Sequence, residues 1–194
     1  YLALALILEE IAAGDGATST VVSVNNCPVC SILMAFGNED QKQRFLKPLA
    51  RGEMLGAFCL TEPHVGSDAG AIATRAERRG DRYVLTGEKT SASCATQSDA
   101  FVVFARTGAA DAGARGVSAF FVEADAKGLT RTNFNDVGHK AVGRGSMFFD
   151  GVEVAADMRL GDENRGFSQV MQGFDFSRAL IGLQCVAAAQ ASVD

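Results

Sequence analysis

The sequence contains no tryptophan, two histidines, two tyrosines and three prolines among its 194 residues. Its basic residues are scattered and the formal net charge is −5, so no stripe exists for a phosphate backbone to follow, and nucleic acid is excluded as a partner. The longest run of apolar residues, Tyr1 to Leu8, meets Glu9-Glu10 directly and falls far short of the roughly 20 residues a membrane span needs. No membrane span is expected. Five cysteines, Cys27, Cys30, Cys59, Cys94 and Cys185, make an odd set without signal-peptide flanks, which suits a reducing compartment better than a disulfide framework. Cys27-Pro28-Val29-Cys30 has redox or half-zinc spacing, but no second pair follows and it lies in a helical stretch, so both are read as core cysteines and no metal is expected. Gly14-Asp15-Gly16-Ala17-Thr18 lacks the lysine of a phosphate loop and follows a helix, which makes it a helix connection. His64 and His139 fall in loops without a triad partner that spacing can defend.

What is present is apolar material for a core, 47% of residues, in three blocks. Residues 1–53 read as helical. Leu2, Leu6, Glu9 and Ala13 recur at helical spacing before Gly14, Thr18 to Phe36 continues the apolar pattern, and Asn38 with Gln41 forms a capping box for a helix ending near Gly52. Residues 54–161 switch to strands: Ala57–Thr61, Tyr83–Thr86, Ala100–Ala105, Val117–Glu123, Leu129–Phe134 and Met147–Val154, with turn chemistry such as Arg79-Gly80-Asp81 between them. Residues 162–194 return to a helical stripe through Phe167, Val170, Met171, Phe174 and Ala179 to Ile181. The expected fold is therefore segregated α+β: a helical N-terminal segment, a central antiparallel β-barrel or sandwich, and the start of a C-terminal helical bundle. Beginning at Tyr1 and still helical at Asp194, the chain reads as a piece of a longer protein.

The most informative stretch is Leu60-Thr61-Glu62-Pro63-His64-Val65-Gly66-Ser67-Asp68. Taken alone it offers one hydroxyl, a proline-stiffened loop and two permissive residues, which ordinary turns also do. The whole string, however, resembles the signature of the acyl-CoA dehydrogenases. Gly87-Glu88-Lys89, Gly116 to Val122, Gly138-His139-Lys140 with Gly143 to Ser146, and Asp175-Phe176-Ser177-Arg178 fit that family in the same order, so the likeness runs the length of the chain.

The resemblance implies that Phe58, Leu60, Thr61 and Gly66 line an FAD, that Ser67 sits where cofactor and acyl-CoA meet, and that Asp175, Ser177 and Arg178 lie along the CoA thioester. Without it, Asp175 and Arg178 are an ordinary surface pair sharing a helix face. Where the family usually has Trp-Ile-Thr, this sequence has Ser91-Ala92-Ser93; Ser93 keeps a hydroxyl, while Ser91 gives up an indole worth about 1–3 kcal/mol of packing, so that either another group fills the space or the pocket is wider. Together with Ser177 this hints at bulky, alicyclic acyl groups. Ser177 also stands where some branches carry their catalytic glutamate, and a serine cannot be that base; no catalytic residue is assigned, and the base is expected beyond residue 194. Glu62 and Asp68 read as loop-stabilising carboxylates.

The implied activity is α,β-dehydrogenation of an acyl-CoA thioester, with electrons passed to an electron-transfer flavoprotein by a homotetramer or homodimer in a bacterial cytoplasm or a mitochondrial matrix. The rival readings are an oxidase or flavin monooxygenase of the same fold, and a non-catalytic acyl-CoA-binding or assembly module.

Overall fold

In the computed structural model, residues 1–193 are described. Helix α1 (Leu2–Gly14) and helix α2 (Gly16–Val24) meet at Asp15, whose carboxylate accepts hydrogen bonds from the Ala17 and Thr18 N–H groups and caps α2. The connection reading of Gly14 to Thr18 holds. Beyond α2 the chain widens into a π-helical turn, Asn25–Cys30, before α3 (Ser31–Phe36). There Cys27 leaves helical geometry (φ −141°, ψ 101°), because the ring of Pro28 excludes the α conformation from the residue before it. The apolar segment Gly16–Phe36 is longer than the Tyr1 to Leu8 run and would suffice in length and composition to cross a membrane, but half of its residues are buried in the protein and it is bent at Cys27.

Asn38 and Gln41 form the expected capping box at the start of α4 (Glu39–Gln41), which continues through a wide turn into α5 (Lys47–Arg51) and stops at left-handed Gly52 (φ 71°). The Gln41 amide does a second thing that sequence spacing does not reveal: its Nε2 donates to the carbonyls of Asp157 and Arg159, at 2.6 and 3.0 Å, tying the helices to the far end of the sheet.

Eight strands follow: β1 (Gly56–Cys59), β2 (Arg75–Arg79), β3 (Arg82–Ala92), β4 (Ala100–Arg106), β5 (Val117–Glu123), β6 (Leu129–Asn133), β7 (Gly145–Ala155) and β8 (Arg159–Leu160). They form a single, mostly antiparallel sheet in the order β6-β7-β3-β2-β4-β5-β8, with β1 lying parallel to β4 from Gly56↔Ala100 to Cys59↔Val103. Strand β2 is absent from the sequence expectation because only Ala76 of its five residues is buried. Strand β3 is longer than expected at both ends, carrying Gly87 and the polar Glu88-Lys89-Thr90 through two irregularities in its pairing with β7. Strands β4 and β5 are predominantly apolar and buried because both their faces are covered, with Arg106, Ser118 and Glu123 as their polar residues, and Phe101, Phe104, Phe120 and Phe121 form the centre of the core.

Besides Gln41, two further contacts join the helices to this sheet. Buried Asn25 donates from Nδ2 to the Leu49 carbonyl (3.1 Å) and accepts from the Gly56 N–H (2.9 Å), so one amide joins α5 to β1. Helix α6 (Gly166–Val193) begins on β5, where a Cβ at Gly166 would lie 2.7 Å from the Ser118 carbonyl carbon; only glycine allows that approach. From there α6 runs back beside α1.

Candidate functional site

Where β1 and β3 end beneath α2 and α6 there is a cavity of ≈ 510 Å³. Its floor is Phe58 of β1 with Leu60 and Thr61 just beyond it, and Thr90 and Ser91 at the end of β3 with Ser93 just past it. One wall is the face of α2 carrying Thr20, Ser23 and Val24 with Cys27 beyond, spaced at three and four residues; the other is the stripe Phe174, Ser177, Ile181, Gln184 and Ala188 of α6. His139, from the loop between β6 and β7, closes the side near Gly16.

Its chemistry is an apolar shell with scattered hydroxyls. Among the described residues no hydrogen bond engages the side chains of Thr61 or Ser93, so both hydroxyls are available to a ligand. Thr90 shares its hydroxyl with Ser146 at 3.2 Å, and Ser177 is turned back to the Phe174 carbonyl at 3.4 Å. Phe58 packs between Phe104 and Phe174, with ring centroids 5.2 and 5.9 Å away, which fixes one apolar surface. Ser91 adopts a left-handed conformation (φ 57°), is exposed at the rim, and receives a 3.3 Å hydrogen bond from Arg144, itself held by Asp136. No aspartate, glutamate, lysine or arginine lines the cavity, and no metal-ligating cluster exists among the described residues.

The loop that carries Thr61 is fastened from below. Glu62 accepts from the Ala73 and Thr74 N–H groups at 2.6 and 2.9 Å and pairs with Lys89 at 2.7 Å; Lys89 also donates to the Leu60 carbonyl at 3.0 Å. Burial pushes the Glu62 carboxyl upward, but the Lys89 charge and these donors outweigh it and hold the group below its usual range. Burial likewise pushes Cys59, beside this pair, up to about 12, which leaves it a thiol. Cys27 and Cys30 are buried and unpaired, as core cysteines should be.

Of the residues singled out in the sequence, the cavity gathers Phe58, Leu60, Thr61, Ser91, Ser93 and Ser177. Gly66 and Ser67 are exposed on the loop beyond Glu62 and do not line it, and a Cβ at Gly66 would meet nothing within 4 Å. Asp175 and Arg178 form an exposed pair 3.9 Å apart on the outer side of α6, with the guanidinium over the Phe174 ring. Glu62 stabilises its loop as expected. Asp68 does not, being exposed with no side-chain hydrogen bond among the described residues.

Thr20, Ser23, His139, Ile181 and Gln184 were not anticipated. The run of hydroxyl residues Thr18, Ser19, Thr20 and Ser23 within one short helix was the available signal for the first two.

Comparison with known proteins gives the geometry a context. Residues 57–152 match the family described as acyl-CoA dehydrogenase, middle domain, and residues 1–53 match acyl-CoA dehydrogenase, N-terminal domain. The chain is 37% identical over 195 residues to the mitochondrial short-chain specific acyl-CoA dehydrogenase of Rattus norvegicus, covering 100% of this chain and 47% of that protein. It is 34% identical to the CarC subunit of the caffeyl-CoA reductase-Etf complex of Acetobacterium woodii, covering 100% of this chain and 51% of that one. Among solved structures, butyryl-CoA dehydrogenase from Megasphaera elsdenii superposes with a TM-score of 0.93 at 33% identity, covering 96% of this chain and 49% of that one. The glutaryl-coenzyme A dehydrogenase complex with glutaryl-CoA gives 0.93 at 32% identity, with 96% and 47% covered. The chain spans about half the length of the relatives it matches.

Proposed function

Since this chain belongs to the acyl-CoA dehydrogenase family, we propose that its cavity holds a flavin against the ends of β1 and β3 and an acyl-CoA thioester between that flavin and α6, for α,β-dehydrogenation of the acyl group. The observation that carries the reading is the joint presence, in one apolar cavity, of the unengaged Thr61 and Ser93 hydroxyls on the sheet side and the Ser177 to Ile181 face of α6 opposite them.

The residues suit an FAD. An isoalloxazine ring presents a flat apolar body with hydrogen-bonding atoms along one edge, and the floor of Phe58 and Leu60 with two free hydroxyls matches that division. When bound, the flavin supplies the two-electron acceptor that no side chain can provide. Thr61 and Ser93 orient the ring edge, the Glu62–Lys89 pair keeps the Thr61 loop in place, and the apolar walls exclude water from the reacting carbons. Gly66 and Ser67 would reach the ligand from the exposed side of the same loop, and Asp175 and Arg178 would meet the CoA moiety outside the cavity. No carboxylate lines the cavity, so we assign the proton acceptor to a part of the protein outside these residues.

Electron transfer to an electron-transfer flavoprotein is part of this proposal; it is supported by the Acetobacterium woodii relative, a subunit of a reductase-Etf complex. We extend the proposal to a homotetrameric or homodimeric enzyme in a bacterial cytoplasm or mitochondrial matrix. The purified protein should carry the yellow absorbance of FAD, which acyl-CoA bleaches anaerobically. A protein that neither retains nor accepts FAD sinks the proposal, and rapid reoxidation of the bleached flavin by O₂ turns it into an oxidase.

A further inference from the structure

The wall of the cavity formed by α2 and α6 contains polar groups that the proposed chemistry does not use. Ser23 is only 5% exposed, lines the cavity, and its hydroxyl has no hydrogen-bond partner among the described residues. Gln184 lines the same cavity with its Nε2 buried and unpartnered. Leaving the Gln184 amide dry costs about 1–3 kcal/mol, and the Ser23 hydroxyl faces the cavity unbonded, so an occupant that meets both groups is favoured.

The two residues stand at one level. The Tyr1 ring packs on Phe176 with centroids 4.1 Å apart, and Leu8 clusters with Leu180 and Cys27, so α1 runs parallel to α6. Helix α2 returns antiparallel to α1, with Ser19 donating to the Leu8 carbonyl at 3.1 Å, and therefore runs antiparallel to α6. Cys27 meets Leu180; one turn back along α2 is Ser23, and one turn on along α6 is Gln184. This level lies beyond Ser177 from the Phe58 and Phe174 end of the cavity, toward Thr20 and His139. Val24, Ile181 and Ala188 supply aliphatic lining around it, with Thr20 and Cys185 adjoining; no lysine or arginine lines the cavity to neutralise a carboxylate, and the His139 imidazole stands at the Gly16 end.

Resting on the thioester reading above, we propose that Ser23 and Gln184 are specificity residues for an acyl group bearing an uncharged oxygen substituent, a hydroxyl or ketone, at the end remote from the thioester. The serine hydroxyl and the primary amide each provide a donor and an acceptor, so both kinds of substituent can be satisfied, while a plain hydrocarbon chain leaves both groups unpaired.

The test uses the FAD-loaded protein with its flavin already reduced, so that binding is measured without turnover. Dissociation constants are compared, by calorimetry, for hexanoyl-CoA against ω-hydroxyhexanoyl-CoA, and for cyclohexanecarbonyl-CoA against its ring-hydroxylated counterpart. In at least one pair the hydroxylated thioester should bind about three- to tenfold tighter, the effect of one added hydrogen bond. Ser23→Ala and Gln184→Leu, each checked for retained FAD, should reduce that preference to near unity. Equal or weaker binding of both hydroxylated thioesters, or a preference untouched by either variant, overturns the proposal. Because bleaching of the oxidised flavin is read separately, binding and bleaching without discrimination removes only this inference. Absence of any acyl-CoA binding removes the thioester reading along with it.

Discussion

The Nζ of Lys89 lies 2.7 Å from Oε1 of Glu62, and the two side chains are 0% and 6% exposed. Strand β3 thereby grips the loop that follows β1 through a buried ion pair, and the loop returns the grip through the Leu60 carbonyl. Taking two charges out of water is costly, so the pair acts chiefly as a fixed fastening whose breakage is expensive.

Removing one partner should be worse than removing both. Glu62→Gln or Lys89→Met is expected to lower stability by about 3–5 kcal/mol, since each strands the other charge. The double variant should lose less than the sum of the two singles. Urea unfolding of the three variants checks this.

Acid should act through the same pair. The Glu62 carboxyl is depressed in the folded protein, so its stabilisation is fully present above its ordinary value of 4.5 and disappears as pH falls through the lowered folded value. The gap in Tm between wild type and Glu62→Gln should therefore be widest near neutral pH and shrink below pH 4.5. A gap constant down to the acid transition contradicts the assignment.

Arg106 is a second fastening of the same region. Its guanidinium is 5% exposed and donates to the carbonyls of Ile72, Gly113 and Gly70 at 3.0, 2.8 and 2.8 Å. Arg106→Met orphans three acceptors and should cost about 2–3 kcal/mol. Because Gly70 lies just past Ser67 and Asp68, proteolysis within 64–72 should accelerate in the variant; unchanged cleavage there means the loop is held by other contacts.

Ser91 sets the width of the cavity rim. Ser91→Trp places an indole where a small hydroxyl side chain stands, at a left-handed position that costs about 1 kcal/mol for a bulky residue. Branched and cyclic acyl-CoAs should lose about tenfold in affinity relative to straight-chain ones. A parallel loss for all acyl-CoAs would place Ser91 away from the acyl group.

Much of the fold is legible because its physics is local. Asn38 with Gln41, Gly52, and the apolar runs Ala100–Ala105 of β4 and Ala119–Val122 of β5 each declare their element within a few residues. Strand β2 does not, because Arg75, Glu77, Arg78 and Arg79 face water and its identity comes from pairing with β3. The parallel pairing of β1 with β4 is equally invisible, since strand direction follows from the path of residues 60–99 and no local pattern encodes it. For the site, the family likeness of residues 60–68 points to Thr61, and the departure at residues 91–93 points to Ser91 and Ser93, which line the cavity. The contribution of α2 depends on which side of a bent helix faces the sheet, and that is settled by Cys27 and Pro28 together with their packing on Leu180.

Asn25 gives this arrangement a mechanical meaning. The cavity is a seam between two layers, helices above and sheet ends below, and its depth is the distance between them. A single buried amide, bonded to Leu49 on one side and Gly56 on the other, rivets the layers at the edge of that seam. Changes in temperature or solvent that loosen the helical layer are therefore resisted at the rivet and act most strongly at the opposite margin, around His139.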